Sequence, residues 1–273
     1  MEKVKDILNQ LEEKHQINII YAVEAGSRAW GIESEDSDYD IRFIFIYKDH
    51  KKYISLKQTK DVIDGFSEDR IYDWQGFDIT KALRLLSQMN PSVTEWVYSP
   101  IVYKNVQDYN FNIHASKLLI EQNRIFPLLY HYRSMAKSNF KAHIDKKENV
   151  KIKKYLYVIR PAGMVEWLLK CRKMSTNKLV EIDFNLVLND LKPHLKTDIY
   201  ENIIEIIRKK KTIKELDEEP RIKCIDDWID YILNETEQDI LNEKNNNSNV
   251  DDKNDQTLDE YDSVLHSFLN LKF

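Results

Sequence analysis

The chain has 273 residues, 42% of them hydrophobic and 32% charged, with a formal net charge of −5. This length can hold one large domain or two ordinary ones. The net charge argues against a general nucleic-acid binder. No apolar run is long enough to cross a bilayer, which excludes an integral membrane protein. Residues 1–16 have the pattern of an amphipathic helix rather than of a signal peptide, so we expect a cytoplasmic protein.

The elements predicted along the chain change in character near residue 105. Before it, strand-like and helical segments alternate, at 18–25, 27–31, 41–47, 61–66, 72–78, 80–88 and 101–103. After it, helical periodicity predominates, at 108–122, 127–143, 150–172, 184–191, 199–209, 225–242 and 257–271. We therefore expect an α+β protein with a mixed sheet and helices in residues 1–105, then an all-helical domain in residues 106–273. Residues 244–255 are polar and of low complexity, which predicts a mobile loop.

The most informative motif joins the first two predicted strands. Gly26 allows a sharp turn, so that its amide and the Ser27 hydroxyl can approach a phosphate. Asp38 and Asp40 stand at the head of the second strand, where residues two apart share a face. Converging carboxylates can ligate a pair of hard cations such as Mg²⁺, which keep substrate phosphates in their coordination shell. An isolated Asp-x-Asp usually marks a solvated loop, and it is the combination with the strands and the Gly-Ser turn that indicates a site.

The motif resembles a known enzyme family. Residues 26–31 (Gly-Ser-Arg-Ala-Trp-Gly) and 37–43 (Ser-Asp-Tyr-Asp-Ile-Arg-Phe) are similar to the polymerase-β nucleotidyltransferase superfamily. More narrowly, they resemble the RlaP family of RNA-repair-pathway, DNA polymerase β-like nucleotidyltransferases. The segments at 130–137 and 153–161 extend the similarity, which covers about residues 17–170.

The resemblance implies a set of ligands for the motif. Two Mg²⁺ ions, or Mn²⁺ in their place, would be held by Asp38 and Asp40. The nucleoside triphosphate would be bound at Gly26, Ser27 and Arg28.

The family's fold normally takes a third carboxylate from a neighbouring strand. The aspartates available for this role are Asp61, Asp64, Asp69, Asp73 and Asp78. We favour Asp78 as a catalytic and metal-binding residue, because it ends a strand-like run just before a helix and Gly76 allows another backbone to approach. Asp73 falls on the opposite phase of that strand. The alternative role for Asp78 is to cap the following helix.

The middle of the chain is basic and its end is acidic. Residues 131–173 carry twelve Lys and Arg against three Asp and Glu, whereas residues 215–262 carry four against seventeen. A basic surface can bind both a triphosphate and a polynucleotide. In similar nucleotidyltransferases the helical domain contacts the triphosphate and the base. The residues expected in that role are Ser134, Lys137, Lys153, Lys154, Tyr157 and Arg160. The alternative is a solvated basic face with tyrosines in the core.

The resemblance thus predicts transfer of a nucleoside monophosphate from a nucleoside triphosphate to an acceptor hydroxyl, with release of pyrophosphate. The favoured acceptor is an RNA 3′ end. One alternative is nucleotidylation of a small molecule or a protein side chain. The other is a non-catalytic, antitoxin-like protein whose acidic end binds a partner.

Overall fold

The computed structural model describes residues 1–57, 59–171, 178–212, 218–247 and 254–270. The chain divides into two compact units. The sheet unit comprises Met1–Ala29, Ser37–Asn123 and Asp251–Phe273, and the helical unit comprises Trp30–Asp36 and Arg124–Val250. The predicted boundary at residue 105 lies within the stretch Ser37–Asn123 of the sheet unit.

The sheet unit contains strands, helices and one 3₁₀ turn. In chain order they are α1 (Glu2–His15), β1 (Ile17–Glu24), α2 (Gly26–Ala29), β2 (Tyr39–Tyr47), the 3₁₀ turn (His50–Ile54), β3 (Val62–Phe66), β4 (Tyr72–Asp78), α3 (Ile79–Ser87), α4 (Pro91–Val97), β5 (Val102–Asn105), α5 (Phe111–Gln122) and α12 (Asn254–Leu269). The 3₁₀ turn and α4 were not predicted. The other elements match the segments predicted from periodicity, with shifts of a few residues at their ends.

The five strands form one mixed sheet in the order β3-β4-β2-β1-β5. Strands β2 and β4 are parallel, and the other neighbours are antiparallel. Alternate residues of β2, including Phe43 and Phe45, pack with Val4, Leu8 and Leu11 of α1 in a buried apolar cluster. The periodicity of α1 and β2 therefore corresponds to one shared core.

The helical unit is built mainly from α-helices. Its elements are α6 (Phe126–His143), β6 (Asn149–Lys151), α7 (Ile152–Lys170), α8 (Phe184–Leu191), α9 (Thr197–Thr212), β7 (Glu218–Pro220), α10 (Lys223–Asn234) and α11 (Glu237–Asn247). Helix α7 is the most buried of them, and it continues through Pro161.

The second domain is mainly helical, and it also contains a short two-stranded antiparallel sheet of β6 and β7. The predicted helix at 225–242 is two helices, α10 and α11. Of the predicted loop at 244–255, the first four residues belong to α11 and the last two to α12, and residues 248–253 lie outside the described residues. Among the described helices, none combines the length and apolar character needed to cross a membrane.

Candidate active site

Gly26 and Asp40 touch where β1 ends and β2 begins. The pairing of these strands sets Glu24 opposite Ile41, and the Ala25 amide donates to the Asp40 carbonyl at 2.8 Å. A Cβ placed on Gly26 would lie 1.9 Å from Asp40 Oδ2, and Gly26 has φ of +61°. Glycine suits this position because the carboxylate occupies the space of a side chain and the backbone is left-handed. The structure thus brings the Gly-Ser turn and the Asp-x-Asp motif together.

Arg28 holds the backbone of the same motif. Its Nη2 donates to the Ser37 carbonyl at 2.6 Å and its Nε to the Asp38 carbonyl at 3.1 Å. The guanidinium also lies 3.9 Å from the centre of the Tyr39 ring. The Asp38 residue is exposed, and Ser27 is half-buried within α2. Arg28, expected at the nucleotide, therefore supports the segment that carries Asp38.

The carboxylate beside Asp40 on the neighbouring strand is Asp73. In the parallel pairing of β2 with β4, Asp40 is opposite Asp73. Arg42 bridges the two carboxylates, with Nη2 3.0 Å from Asp40 Oδ1 and Nη1 2.6 Å from Asp73 Oδ1. Asp78 pairs instead with Phe45, five residues farther along, which is about 16 Å at the rise of a strand.

Asp78 caps helix α3. Its Oδ1 accepts from the Thr80 amide at 2.9 Å, and its Oδ2 accepts from the Tyr53 hydroxyl at 2.7 Å. The residue is only 2% exposed, and burial raises the pKa of its carboxyl. This placement corrects the expectation that Asp78 lies with Asp38 and Asp40. Gly76 likewise makes room for the Phe43 ring, which a Cβ would meet at 2.0 Å, rather than for another backbone.

Glu24 is an acidic residue of this site that sequence reasoning missed. It is fully buried, its Oε1 accepts from the Asp40 amide at 2.7 Å, and the Tyr103 hydroxyl donates to its Oε2. Burial raises the pKa of Glu24 to about 7, although both hydrogen bonds oppose the rise. Glu24 is the last residue of β1, and its contact with Asp40 follows from the pairing of β1 with β2 rather than from a local sequence pattern.

Asp73, in contrast, had a signal in the sequence. The dipeptide Tyr-Asp occurs at the head of β2 and again at the head of β4. In the structure the two dipeptides are in register, and the rings of Tyr39 and Tyr72 stack with their centres 4.9 Å apart. The repeat could have indicated that these strands are neighbours, since equivalent positions of parallel strands lie side by side.

The carboxylates fit a hard divalent cation. Asp38, Asp40 and Asp73 offer oxygen donors of the kind that Mg²⁺ prefers. Burial raises the pKa of Asp40, Arg42 opposes this, and the charges of Asp73 and Asp38 add to the rise, so a cation among them would relieve repulsion. Within the described ranges no three His, Cys, Asp or Glu side chains are already gathered as a metal site. The bridge from Arg42 accounts for the present arrangement of Asp40 and Asp73.

The helical unit carries the remaining predicted residues on α6 and α7. Lys137 on α6 is exposed, and Ser134 is half-buried. At the start of α7, Lys153 and Lys154 are partly exposed, and Lys154 Nζ lies 4.9 Å from the centre of the Tyr157 ring. These side chains can meet solvent or an anionic ligand.

Arg160 behaves differently from the lysines of α7. It is only 2% exposed, and its guanidinium carbon lies 3.9 Å from the centre of the Trp30 ring. The centre of the Tyr132 ring lies 5.8 Å from the same guanidinium carbon. Arg160 is thus buried in the helical unit, close to two aromatic rings.

Comparison with known proteins identifies the family of the chain. Residues 1–265 match the model of the RlaP family, described as the RNA repair pathway DNA polymerase beta family. The uncharacterized protein YcgL of Bacillus subtilis (strain 168) is 37% identical over 231 residues, which are 84% of each chain. A crystal structure of a nucleotidyltransferase-like protein from Exiguobacterium sibiricum 255-15 matches 86% of this chain and 74% of its own, at 10% identity and a TM-score of 0.28. The sequence matches carry the assignment: this chain belongs to the RlaP family and is a polymerase-β-like nucleotidyltransferase.

Proposed function

We propose that the protein transfers a nucleoside monophosphate from a nucleoside triphosphate to the 3′ hydroxyl of an RNA, with Mg²⁺ and with release of pyrophosphate. The observation that supports this most directly is the position of the Asp40 carboxylate, against Gly26 and in register with Asp73. That arrangement joins a phosphate-binding turn to a group of carboxylates on one sheet.

The metal ions would be held by Asp38, Asp40 and Asp73. When bound, such ions supply electrostatic stabilisation to the phosphoryl group in transfer. Asp73 takes the role for which the sequence favoured Asp78. Its carboxylate, oriented by Arg42, accepts the proton of the attacking hydroxyl.

Other groups of the chain bind and orient the substrates. The Gly26 amide and the Ser27 hydroxyl bind the terminal phosphates, since they follow strand β1 and open a short helix. Glu24 fixes the Asp40 backbone by accepting from its amide. Lys153 and Lys154 neutralise phosphate charge from the first turn of α7.

The preference for an RNA acceptor rests on the charge of the helical unit. Exposed lysines continue past the residues proposed to contact the triphosphate, to Lys141 near the end of α6 and to Lys146 and Lys147 in the turn after it. A row of exposed cations suits a polymer of phosphates better than a small acceptor.

The test is transfer of label from each of the four nucleoside triphosphates, with Mg²⁺, to separated RNA, protein and small-molecule fractions. We expect label in RNA, retained on 3′-terminal fragments, and its loss in Asp40→Asn. The matched control is Asp64→Asn, which removes an exposed carboxylate from β3 of the same sheet. Label found only in protein or only in small molecules would reject the RNA acceptor, and no label in any fraction would reject the enzyme activity.

A further inference from the structure

The seven residues between the two halves of the active-site motif belong to the helical unit. The segment Trp30–Asp36, here called the spacer, groups with residues 124–250 rather than with the sheet. It follows Ala29, the last residue of α2, and it precedes Ser37 and Asp38. Residues 26–29 and 37–38 lie outside the ladder of β1 and β2, so strand pairing alone does not fix them.

The first half of the spacer is held by α7 and α8. The Trp30 carbonyl accepts from the Phe184 amide at 2.9 Å, and the Gly31 carbonyl accepts from Asn185 Nδ2 at 2.9 Å. Gly31 has φ of +68°, and a Cβ there would lie 2.5 Å from Asn185 Nδ2. The Arg160 guanidinium covers the Trp30 ring. Helices α7 and α8 thus contact both the backbone of the spacer and its Trp30 side chain.

The next residue of the spacer, Ile32, is held by Lys210 of α9. This residue is only 6% exposed, and its ammonium group donates to the Ile32 carbonyl. Burial lowers the pKa of Lys210 to about 8, the charge of Lys153 lowers it further, and Glu33 and Asp36 act in the opposite direction. Burying an ammonium group costs free energy unless it is hydrogen-bonded. The contacts of this buried cation with the spacer are therefore a specific feature of the fold.

We propose that Asn185, Arg160 and Lys210 are positioning residues for nucleotide transfer, acting through the spacer on Gly26–Ala29 at one end and on Asp38 at the other. The inference rests on the proposed function. Its physical basis is that a displacement of about 1 Å in a reacting group can cost on the order of 100-fold in rate. The three residues contact Trp30, Gly31 and Ile32 at the start of the spacer, and the charge of Lys210 also acts on Asp36 at its end.

The test combines hydrogen exchange with kinetics in the full chain. Lys210→Met and Asn185→Ala each remove a different contact to the spacer. We expect the amides of residues 26–40 to exchange at least about tenfold faster in both variants, because local opening becomes easier. We expect kcat to fall about 10- to 100-fold with little change in the KM for nucleotide, since positioning acts in the transition state. Lys211→Met is the matched control, because Lys211 is exposed on the same helix.

Each outcome decides the inference. Unchanged exchange in residues 26–40 in both variants overturns it, whatever the activity. Faster exchange with an unchanged kcat overturns it as well. A raised KM with an unchanged kcat assigns Lys210 to direct contact with nucleotide instead. If the wild-type protein transfers nucleotide to no acceptor, the proposed function fails, and the exchange of Gly26–Ala29 and residues 37–40 still decides whether the spacer is held by Lys210 and Asn185.

Discussion

Substitution of Asp73 should affect the rate of transfer, whereas substitution of Asp78 should affect the stability of the fold. Asp73→Asn removes a charge without changing shape, and it should reduce transfer about 10²- to 10⁴-fold, the usual contribution of a general base. Asp73 is half exposed and paired with Arg42, so the decrease in the free energy of unfolding should stay below about 1 kcal/mol. Asp78→Ala should do the reverse.

The magnitude for Asp78→Ala follows from its hydrogen bonds. Removing the cap on the Thr80 amide costs about 1 kcal/mol, and removing the acceptor for the half-buried Tyr53 hydroxyl costs about 1–2 kcal/mol. The sum of about 2–3 kcal/mol lowers the melting temperature by roughly 5–10 °C for a unit of this size. Asp78→Asn should cost less, because asparagine also caps helices.

The assay pairs thermal unfolding, followed by circular dichroism, with the initial rate of pyrophosphate release at a temperature where all variants are folded. Tyr53→Phe is the control that removes one hydrogen bond to Asp78 without changing the carboxylate, and it should leave the rate unchanged. A large decrease of rate in Asp78→Asn together with a normal rate in Asp73→Asn would refute the assignment from strand register.

Three further predictions concern Gly26, Glu24 and the exposed lysines Lys146 and Lys147. Gly26→Ala should lower transfer at least about 100-fold by displacing Asp40, and a normal rate would contradict the close approach of these two residues. Burial raises the pKa of Glu24 to about 7, so the stability it contributes is complete below its ordinary pKa and is lost as pH rises through 7. Glu24→Gln should therefore gain denaturant resistance relative to wild type at pH 8 but not at pH 4, and equal gains would refute the shift. Alanine at both Lys146 and Lys147 should flatten the salt dependence of the KM for RNA, by about 0.7 in log-log slope for each phosphate that is no longer bound, whereas an unchanged slope would place RNA elsewhere.

Local patterns predicted most elements of the fold. Helix α1 and strand β2 have clear periods, because each buries one continuous apolar face in a shared core. The proximity of Gly26 to Asp40 could also be anticipated, since the two strands that meet there are consecutive in the chain. In these cases the information lies within about twenty residues.

The errors concern pairings between distant segments. Asp73 lies beside Asp40 because β4 pairs with β2 in parallel, and β3 intervenes between them in sequence. The alternation along β4 places Asp73 and Asp78 on opposite faces, but it does not give the register of β4 against β2. It therefore could not show which of the two aspartates lies beside Asp40. The membership of residues 30–36 in the helical unit had no signal in the nearby sequence either, because these residues contact α7, α8 and α9.

A count of basic residues in the sequence includes arginines whose side chains contact the protein itself rather than solvent or a ligand. Arg28 donates to carbonyls of the motif, Arg42 bridges two carboxylates, and Arg160 packs on Trp30. A guanidinium offers several donors in a plane and loses hydration at lower cost than an ammonium group, so it can satisfy buried acceptors while stacking on a ring. Lys137 and Lys153 keep more exposure than Arg160. The lysines of α6 and α7 are therefore the stronger candidates for binding phosphate, whereas each of these arginines orders the chain within its own unit.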